Sequence, residues 1–103
     1  MPNINYLRGR RFEYKRAAWY KSQGCEVIRA SGSHGRWDLV VVWPNGKGID
    51  LVQCKVTAGG EKDAQREIET FIKEAAQILV PARVNRVIEV WSRKDRKLYD
   101  KGI

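Results

Sequence analysis

The fold is decided by the stretch Trp37-Asp38-Leu39-Val40-Val41-Val42-Trp43, in which an acid precedes an apolar run. A second apolar run ends in Gln53-Cys54-Lys55. If the two runs are neighbouring strands of one hairpin, Gln53 and Lys55 point the same way, beside the strand that carries Asp38, because side chains two residues apart share a face. An amide and an ammonium are costly to place among apolar side chains, so the pattern indicates a small site built on a metal ion and a lysine.

The chain is short and basic. Its 103 residues suit a single compact domain, expected to span 1–103 and to bury about 65% of the surface of the unfolded chain. A total of 20 Lys and Arg against 12 Asp and Glu gives a net charge of +8. This charge predicts a polyanionic partner, most simply nucleic acid; a basic surface that binds nothing is the alternative.

The rarer residue types exclude several classes of protein. Cys25 and Cys54 are too few for a disulfide framework and are expected to be buried, reduced thiols of a cytoplasmic protein. His34 is the single histidine, and without paired cysteines the four ligands of a structural zinc site cannot be assembled. The N-terminus has no apolar signal core, and no apolar run approaches the ~18 residues of a membrane span, so we expect a soluble, intracellular, DNA-associated protein with neither a membrane nor a small-molecule partner.

The predicted fold is α/β, a mixed five-stranded sheet flanked by helices in the order α-β-β-β-α-β-β. The helices are expected at 6–23 and 61–79, and the strands at 25–30, 37–43, 49–56, 85–91 and 96–99. Asn5 is the expected cap of the first helix, and Gly24 is placed to end it. Apolar residues of the second helix recur with the helical period and predict its buried face: Ala64, Ile68, Phe71, Ile72, Ala75 and Leu79.

An acid lies on the less charged stripe of the first helix. At about 100° per residue, this stripe contains Tyr6, Gly9, Glu13, Ala17 and Tyr20. Glu13 is therefore expected to face inward, where a purely structural helix would carry an apolar residue. The alternative is a local ion pair of Glu13 with Arg10 or Arg16.

Four segments of the chain resemble the archaeal-type Holliday junction resolvases, members of the PD-(D/E)xK nuclease superfamily. The segments are Arg8-Gly9 through Glu13, 24–33 with its Gly-Cys-Glu-Val-Ile-Arg-Ala-Ser-Gly-Ser sequence, Asp38-Leu39-Val40 and Gln53-Cys54-Lys55. The resemblance implies a restriction-endonuclease-like core and a homodimer that cuts two strands of a four-way DNA junction and leaves 5′-phosphate ends. It also implies Mg²⁺ as cofactor, with Mn²⁺ as a substitute.

Carried over by position, the resemblance implies catalytic roles for Glu13, Asp38, Gln53 and Lys55, and for a loop serine. Ser33 is the better candidate for that serine, and Ser31 is the other. The implied metal ligands are Glu13, Asp38, Gln53 and the backbone carbonyl of Cys54.

The chain departs from the family pattern at three positions: Trp37 replaces a common Pro, Gln53 replaces Glu, and Tyr14 replaces Arg. An amide oxygen can still bind Mg²⁺, but the site loses one negative charge. Arg10, Lys15 or Arg16 would then take over the phosphate contact of the missing arginine.

Basic residues around the expected site are candidates for phosphate contacts, although each could equally be a solvated surface charge. They are Arg8, Arg10, Arg11, Arg29, Arg36 and Lys62. The glycine-rich loop 31–35 could close over a DNA strand, and Phe71 and Ala75 could belong to a dimer contact or simply cover their own sheet. Two other functions stay open: a nicking or restriction-type endonuclease of the same fold, and a non-catalytic basic DNA-binding protein.

Overall fold

The structure of the chain, a computed structural model, describes residues 4–30 and 36–103. The elements follow in the predicted order: α1 (Ile4–Ser22), β1 (Glu26–Arg29), β2 (Leu39–Trp43), β3 (Gly48–Thr57), α2 (Glu61–Ala75), β4 (Val84–Ser92) and β5 (Lys97–Gly102). Neither helix in these two ranges combines the length and the apolar character needed to cross a lipid bilayer.

The five strands form one mixed sheet in the order β1-β2-β3-β4-β5, which confirms the predicted fold class. All neighbouring strands are antiparallel except β3 and β4, which are parallel. A parallel pair needs a crossover connection, and α2 provides it. A short 3₁₀ turn at Pro44–Gly46 closes the predicted hairpin, in which Leu39 pairs with Val52.

Each helix covers one face of the sheet. Phe12, Ala17 and Tyr20 of α1 pack with Leu39 and Val52 on the α1 face. The residues of α2 pack on the other face, the α2 face, where the buried cluster contains Ala64, Ile68, Phe71, Ala75, Ile88 and Val90. Phe71 and Ala75 thus lie in the core of their own chain, which is the simpler of the two interpretations of that helix.

The second helix is shorter than predicted. It ends at Ala75, and Leu79 is 95% exposed instead of belonging to the buried face. The side chain of Arg86 explains the early end, because its Nη1 donates hydrogen bonds of 2.7 Å to the carbonyl oxygens of both Ala75 and Ile78. A carbonyl at a helix terminus lacks an intrahelical partner, and Arg86 shares that of Ala75 with the backbone N–H of Ile78, which donates to it at 3.0 Å.

The buried stripe of α1 is rotated relative to the prediction. Phe12 is buried and Tyr6 is 55% exposed, whereas the sequence stripe placed Tyr6 inside. Contacts with β4 set this rotation, since the Phe12 ring lies 6.4 Å from that of Trp91. The helix also begins at Ile4, so Asn5 lies inside it and not at its cap.

Candidate active site

The candidate site lies in a notch of the sheet, where β2 has ended and β3 continues. Strand β2 pairs with β3 only as far as Val52, while β3 runs on to Thr57. Asp38, the residue before β2, occupies this place: its backbone N–H donates to the carbonyl of Val52, at 2.8 Å. Side chains from both faces of the sheet can reach such a notch, because no strand formed by residues 4–30 or 36–103 closes it.

Asp38 is tied to β3 by its side chain as well as by its backbone. The backbone N–H of Cys54 donates a 2.9 Å hydrogen bond to Oδ2 of Asp38. A strand residue directs its N–H and its C=O to the same side, so the carbonyl of Cys54 also points into the notch. The Cys54 thiol is buried on the α1 face and packs in the core there.

Glu13 reaches the notch from α1. Its Oε1 lies 3.8 Å from a guanidinium nitrogen of Arg29 at the end of β1, and both side chains are about four-fifths buried. Neither local partner considered from the sequence forms an ion pair with Glu13, because Arg16 binds Glu89 instead and Arg10 donates to Tyr14. The tertiary fold therefore gives Glu13 a partner from another element.

Burial raises the pKa values of both carboxyl groups of the notch. For Glu13 the negative charge of Asp38 raises the pKa further, while Arg29 and Arg10 oppose the shift. For Asp38 the Cys54 hydrogen bond and the charges of Lys55 and Arg29 oppose it. Two carboxylates that repel each other in a half-buried notch favour a cation between them.

Gln53 and Lys55 lie on the α2 face of β3, as the predicted alternation requires, because Val52 and Cys54 lie on the other face. Lys55 is exposed. The Oε1 atom of Gln53 is buried and accepts no hydrogen bond from any residue in 4–30 or 36–103. A buried amide oxygen without a partner is costly, so this atom is suited to a ligand that the chain does not itself supply.

The donor set of the notch fits a hard divalent cation. Two carboxylates, the unpartnered amide oxygen of Gln53 and the carbonyl of Cys54 are all oxygen donors, which Mg²⁺ and Mn²⁺ prefer. The described parts of the chain contain no group of three His, Cys, Asp or Glu residues that could hold a metal. A metal ion here would thus depend on the amide of Gln53, which replaces a third carboxylate.

The sequence analysis did not identify a buried acid in β4. Glu89 is 2% exposed, and its carboxylate accepts hydrogen bonds from Nε (2.8 Å) and Nη2 (3.0 Å) of Arg16 and from the hydroxyl of Tyr20 (2.7 Å). Glu89 interrupts the apolar run 87–91 in the middle of β4, and this interruption was the available signal. This triad holds α1 on the sheet one helical turn beyond Glu13, and it removes Arg16 from the candidates for a phosphate contact.

Tyr14 organises the cations beside Glu13. Its hydroxyl accepts hydrogen bonds from Arg29 at 3.1 Å and from Arg10 at 3.4 Å, and the Arg29 guanidinium lies 4.1 Å from the centre of its ring. Tyr14 stands at the position where an arginine was expected from the sequence resemblance, and it binds two other arginines there. Arg29 is held beside the site by its contacts with Glu13 and Tyr14, whereas the side chain of Arg10 remains exposed.

The remaining basic candidates are spread over several elements. Arg36 is exposed just before the notch, and Lys62 is exposed in the first turn of α2. Arg8 and Arg11 line a groove on the other side of α1. The loop candidates Ser31, Ser33 and His34 lie outside the described residues.

Comparison with known proteins supports the fold. No protein-family model matches the chain, and no curated protein matches it. A solved structure does: that of Hjc from Archaeoglobus fulgidus, a Holliday junction resolvase from an archaeal hyperthermophile, with a TM-score of 0.51 and 17% sequence identity over 87% of this chain and 72% of that one. This chain therefore has the fold of an archaeal Holliday junction resolvase.

Proposed function

We propose that the chain is a metal-dependent, structure-selective DNA endonuclease that resolves four-way junctions. The observation that carries the proposal is that the charge of Asp38 acts on Glu13 in a notch of a resolvase-like sheet, beside the strand that carries the unpartnered Gln53 oxygen. The net charge of +8 supplies the attraction to DNA. Similarity to Hjc in fold supports a junction as the substrate.

The residues of the notch divide two tasks in hydrolysis between them. Asp38, Glu13, Gln53 and the carbonyl of Cys54 would hold Mg²⁺ or Mn²⁺, which neutralises phosphate oxygens and lowers the pKa of water when bound. Lys55 carries a positive charge at the same strand and would orient the attacking water and stabilise the charge that develops on the phosphate. In-line attack would leave a 5′-phosphate and a 3′-hydroxyl.

Arg29 is a positioning residue in this scheme. It lies against Glu13 and on the ring of Tyr14, so it fixes the carboxylate on the notch side of α1. Its Nε atom is buried and donates to no described residue.

We further propose that the enzyme acts as a homodimer on intracellular DNA and that the 103 residues form one nuclease domain. A four-way junction has approximate two-fold symmetry, and a C2 dimer presents two equivalent sites to it. Two such sites would give paired nicks on opposite strands.

The test is cleavage of a labelled synthetic junction in Mg²⁺ and in Mn²⁺, with the cut positions mapped. We expect symmetric paired nicks that disappear in Asp38→Asn and in Lys55→Met, while both variants still bind the junction. Asp63→Asn, an exposed acid of α2, is the matched control and should cut normally. Junctions left intact by the wild type in both metals would contradict the proposal, and equal cutting of linear duplex would indicate a related endonuclease with another target.

The amide at position 53 favours a second candidate function, a non-catalytic DNA-binding protein. Gln53→Glu separates the two, because an added carboxylate should tighten Mg²⁺ binding, measured by calorimetry, and increase cleavage if the notch is a metal site. Unchanged metal binding together with inert wild type and variant would support the non-catalytic candidate.

A further inference from the structure

A groove runs along α1 on the side away from Glu13. It has a volume of about 460 Å³ and lies between α1 and the ends of β3, β4 and β5. Around the helix axis, at about 100° per residue, Glu13 lies to one side of the buried Phe12 and Lys15 to the other. The groove is therefore separate from the notch, although both border the same helix.

The lining of the groove combines cations with aromatic and aliphatic side chains. Five of its lining residues are basic and five are apolar, and none is acidic. Arg16 is neutralised by Glu89, but the other four cations, Arg8, Arg11, Lys15 and Arg93, form no ion pair with an acid anywhere in 4–30 or 36–103. An uncompensated group of four positive charges in one concave surface is complementary to an anionic ligand.

Two tryptophans give the groove surfaces on which a flat ring can stack. Trp19 is 43% exposed, and the guanidinium of Arg16 lies 4.6 Å from the centre of its ring. Because Glu89 fixes Arg16, and Tyr20 meets the indole edge-on at 5.0 Å, Trp19 is held in place while much of its surface stays open. Trp91 lies on the floor of the groove beside Phe12.

We propose that this groove binds an unpaired nucleotide of single-stranded DNA, with its base on Trp19 and its phosphates between Arg8 and Arg93. Aromatic rings beside a positively charged track are the combination that recognises single strands, because any unpaired base has a face that can stack. The volume lies within the roughly 300–1,000 Å³ of small-ligand sites, enough for a nucleotide. The inference rests on the proposed function only in taking DNA as the partner.

A second copy of the chain is a poorer occupant. It would bring its own net charge of +8 against four cations that lack acidic partners. Like charges brought together in an interface weaken association. The charge of the groove thus selects DNA over self-association.

The experiment measures binding without cleavage. A fluorescent oligothymidylate and a blunt duplex are titrated with the protein in EDTA, and affinity is read by anisotropy at several salt concentrations. Trp19→Ala should weaken oligothymidylate binding by about 5- to 150-fold and leave duplex binding unchanged, because paired bases stay stacked in their helix. Arg93→Gln should weaken oligothymidylate binding and lower its salt dependence by about 0.7 log units per log unit of salt.

Controls distinguish the groove from folding and from general charge. Trp19→Phe keeps an aromatic ring and should retain most of the affinity, which excludes a folding defect at this position. Arg66→Gln and Leu79→Ala remove an exposed cation and an exposed apolar side chain elsewhere and should change neither affinity. Thermal unfolding of every variant is recorded in parallel.

Two outcomes would overturn the inference. One is that Trp19→Ala fails to weaken oligothymidylate binding selectively, whether both affinities fall equally or neither falls. The other is a change of oligomeric state in Trp19→Ala, by sedimentation, with oligothymidylate binding intact, which would make the groove an interface between copies. Failure of the nuclease proposal looks different, since junctions would then stay uncut while the wild type still binds oligothymidylate through Trp19.

Discussion

Replacing Glu89 by alanine should destabilise the protein more than any other change of a single charge. The carboxylate accepts three hydrogen bonds and is 2% exposed, so its loss leaves the Arg16 guanidinium and the Tyr20 hydroxyl without their partner. Removing one member of a buried ion pair costs about 3–5 kcal/mol. Arg16 is 15% exposed and borders the groove, where it can regain water, so we expect the lower end, about 3 kcal/mol.

Urea denaturation followed by tryptophan fluorescence measures this loss. With an m-value of about 1–3 kcal/mol/M, a loss of about 3 kcal/mol lowers the unfolding midpoint by at least about 1 M. Asp63→Ala is the matched control, because the exposed pair of Asp63 and Arg66 should contribute only about 0.2–1 kcal/mol. Junction cleavage should also fall, since the triad holds the helix that carries Glu13.

A triple variant, Arg16→Met with Tyr20→Phe and Glu89→Met, tests the physical reason. It removes both charges and the hydroxyl together, so no buried polar group is left unpaired, and its stability should lie near that of the wild type. If Glu89→Ala cost no more than Asp63→Ala, or if the triple variant were as unstable as the single one, the reasoning about an uncompensated buried charge would be wrong.

Three further predictions concern the notch, the hairpin and the core. Because burial and Asp38 raise the folded-state pKa of Glu13, ionisation of Glu13 opposes folding above its unfolded pKa. The metal-free Glu13→Gln variant should therefore melt at a higher temperature than the wild type at pH 7, and the difference should vanish below about pH 4. A lower melting temperature of the variant at pH 7 would show that the ion pair of Glu13 with Arg29 dominates. In urea denaturation, Gly46→Ala should lower the free energy of unfolding by about 1–2 kcal/mol, because Gly46 has a positive φ. Gly48→Ala should lower it clearly more, because Gly48 also has a positive φ and a Cβ there would lie 2.8 Å from the carbonyl oxygen of Arg83. Equal losses of unfolding free energy in the two variants would refute this. Burial raises the pKa of the Cys54 thiol, so a thiol reagent at neutral pH should label Cys54 only on unfolding, and rapid labelling of the native protein would contradict its burial.

Local patterns in the sequence were sufficient for the element order. Alternation around Gln53 and Lys55 placed both on one face of β3, and the helical period of Ala64, Ile68 and Phe71 placed α2 on the sheet. These predictions hold because the period of a strand or helix is a property of the backbone alone. The end of α2 could not be predicted in this way, because Arg86 of β4 binds the carbonyl of its last residue, Ala75, from outside the helix.

The sequence by itself determined which residue types are available for the site and which element carries each one. Only the tertiary structure decided that Glu13 pairs with Arg29, that Arg16 is bound to Glu89, and that β2 ends early enough to leave the notch open. Those outcomes depend on strand register and on the rotation of α1 about its axis. Both are fixed by packing between residues far apart in the chain, which no local period records.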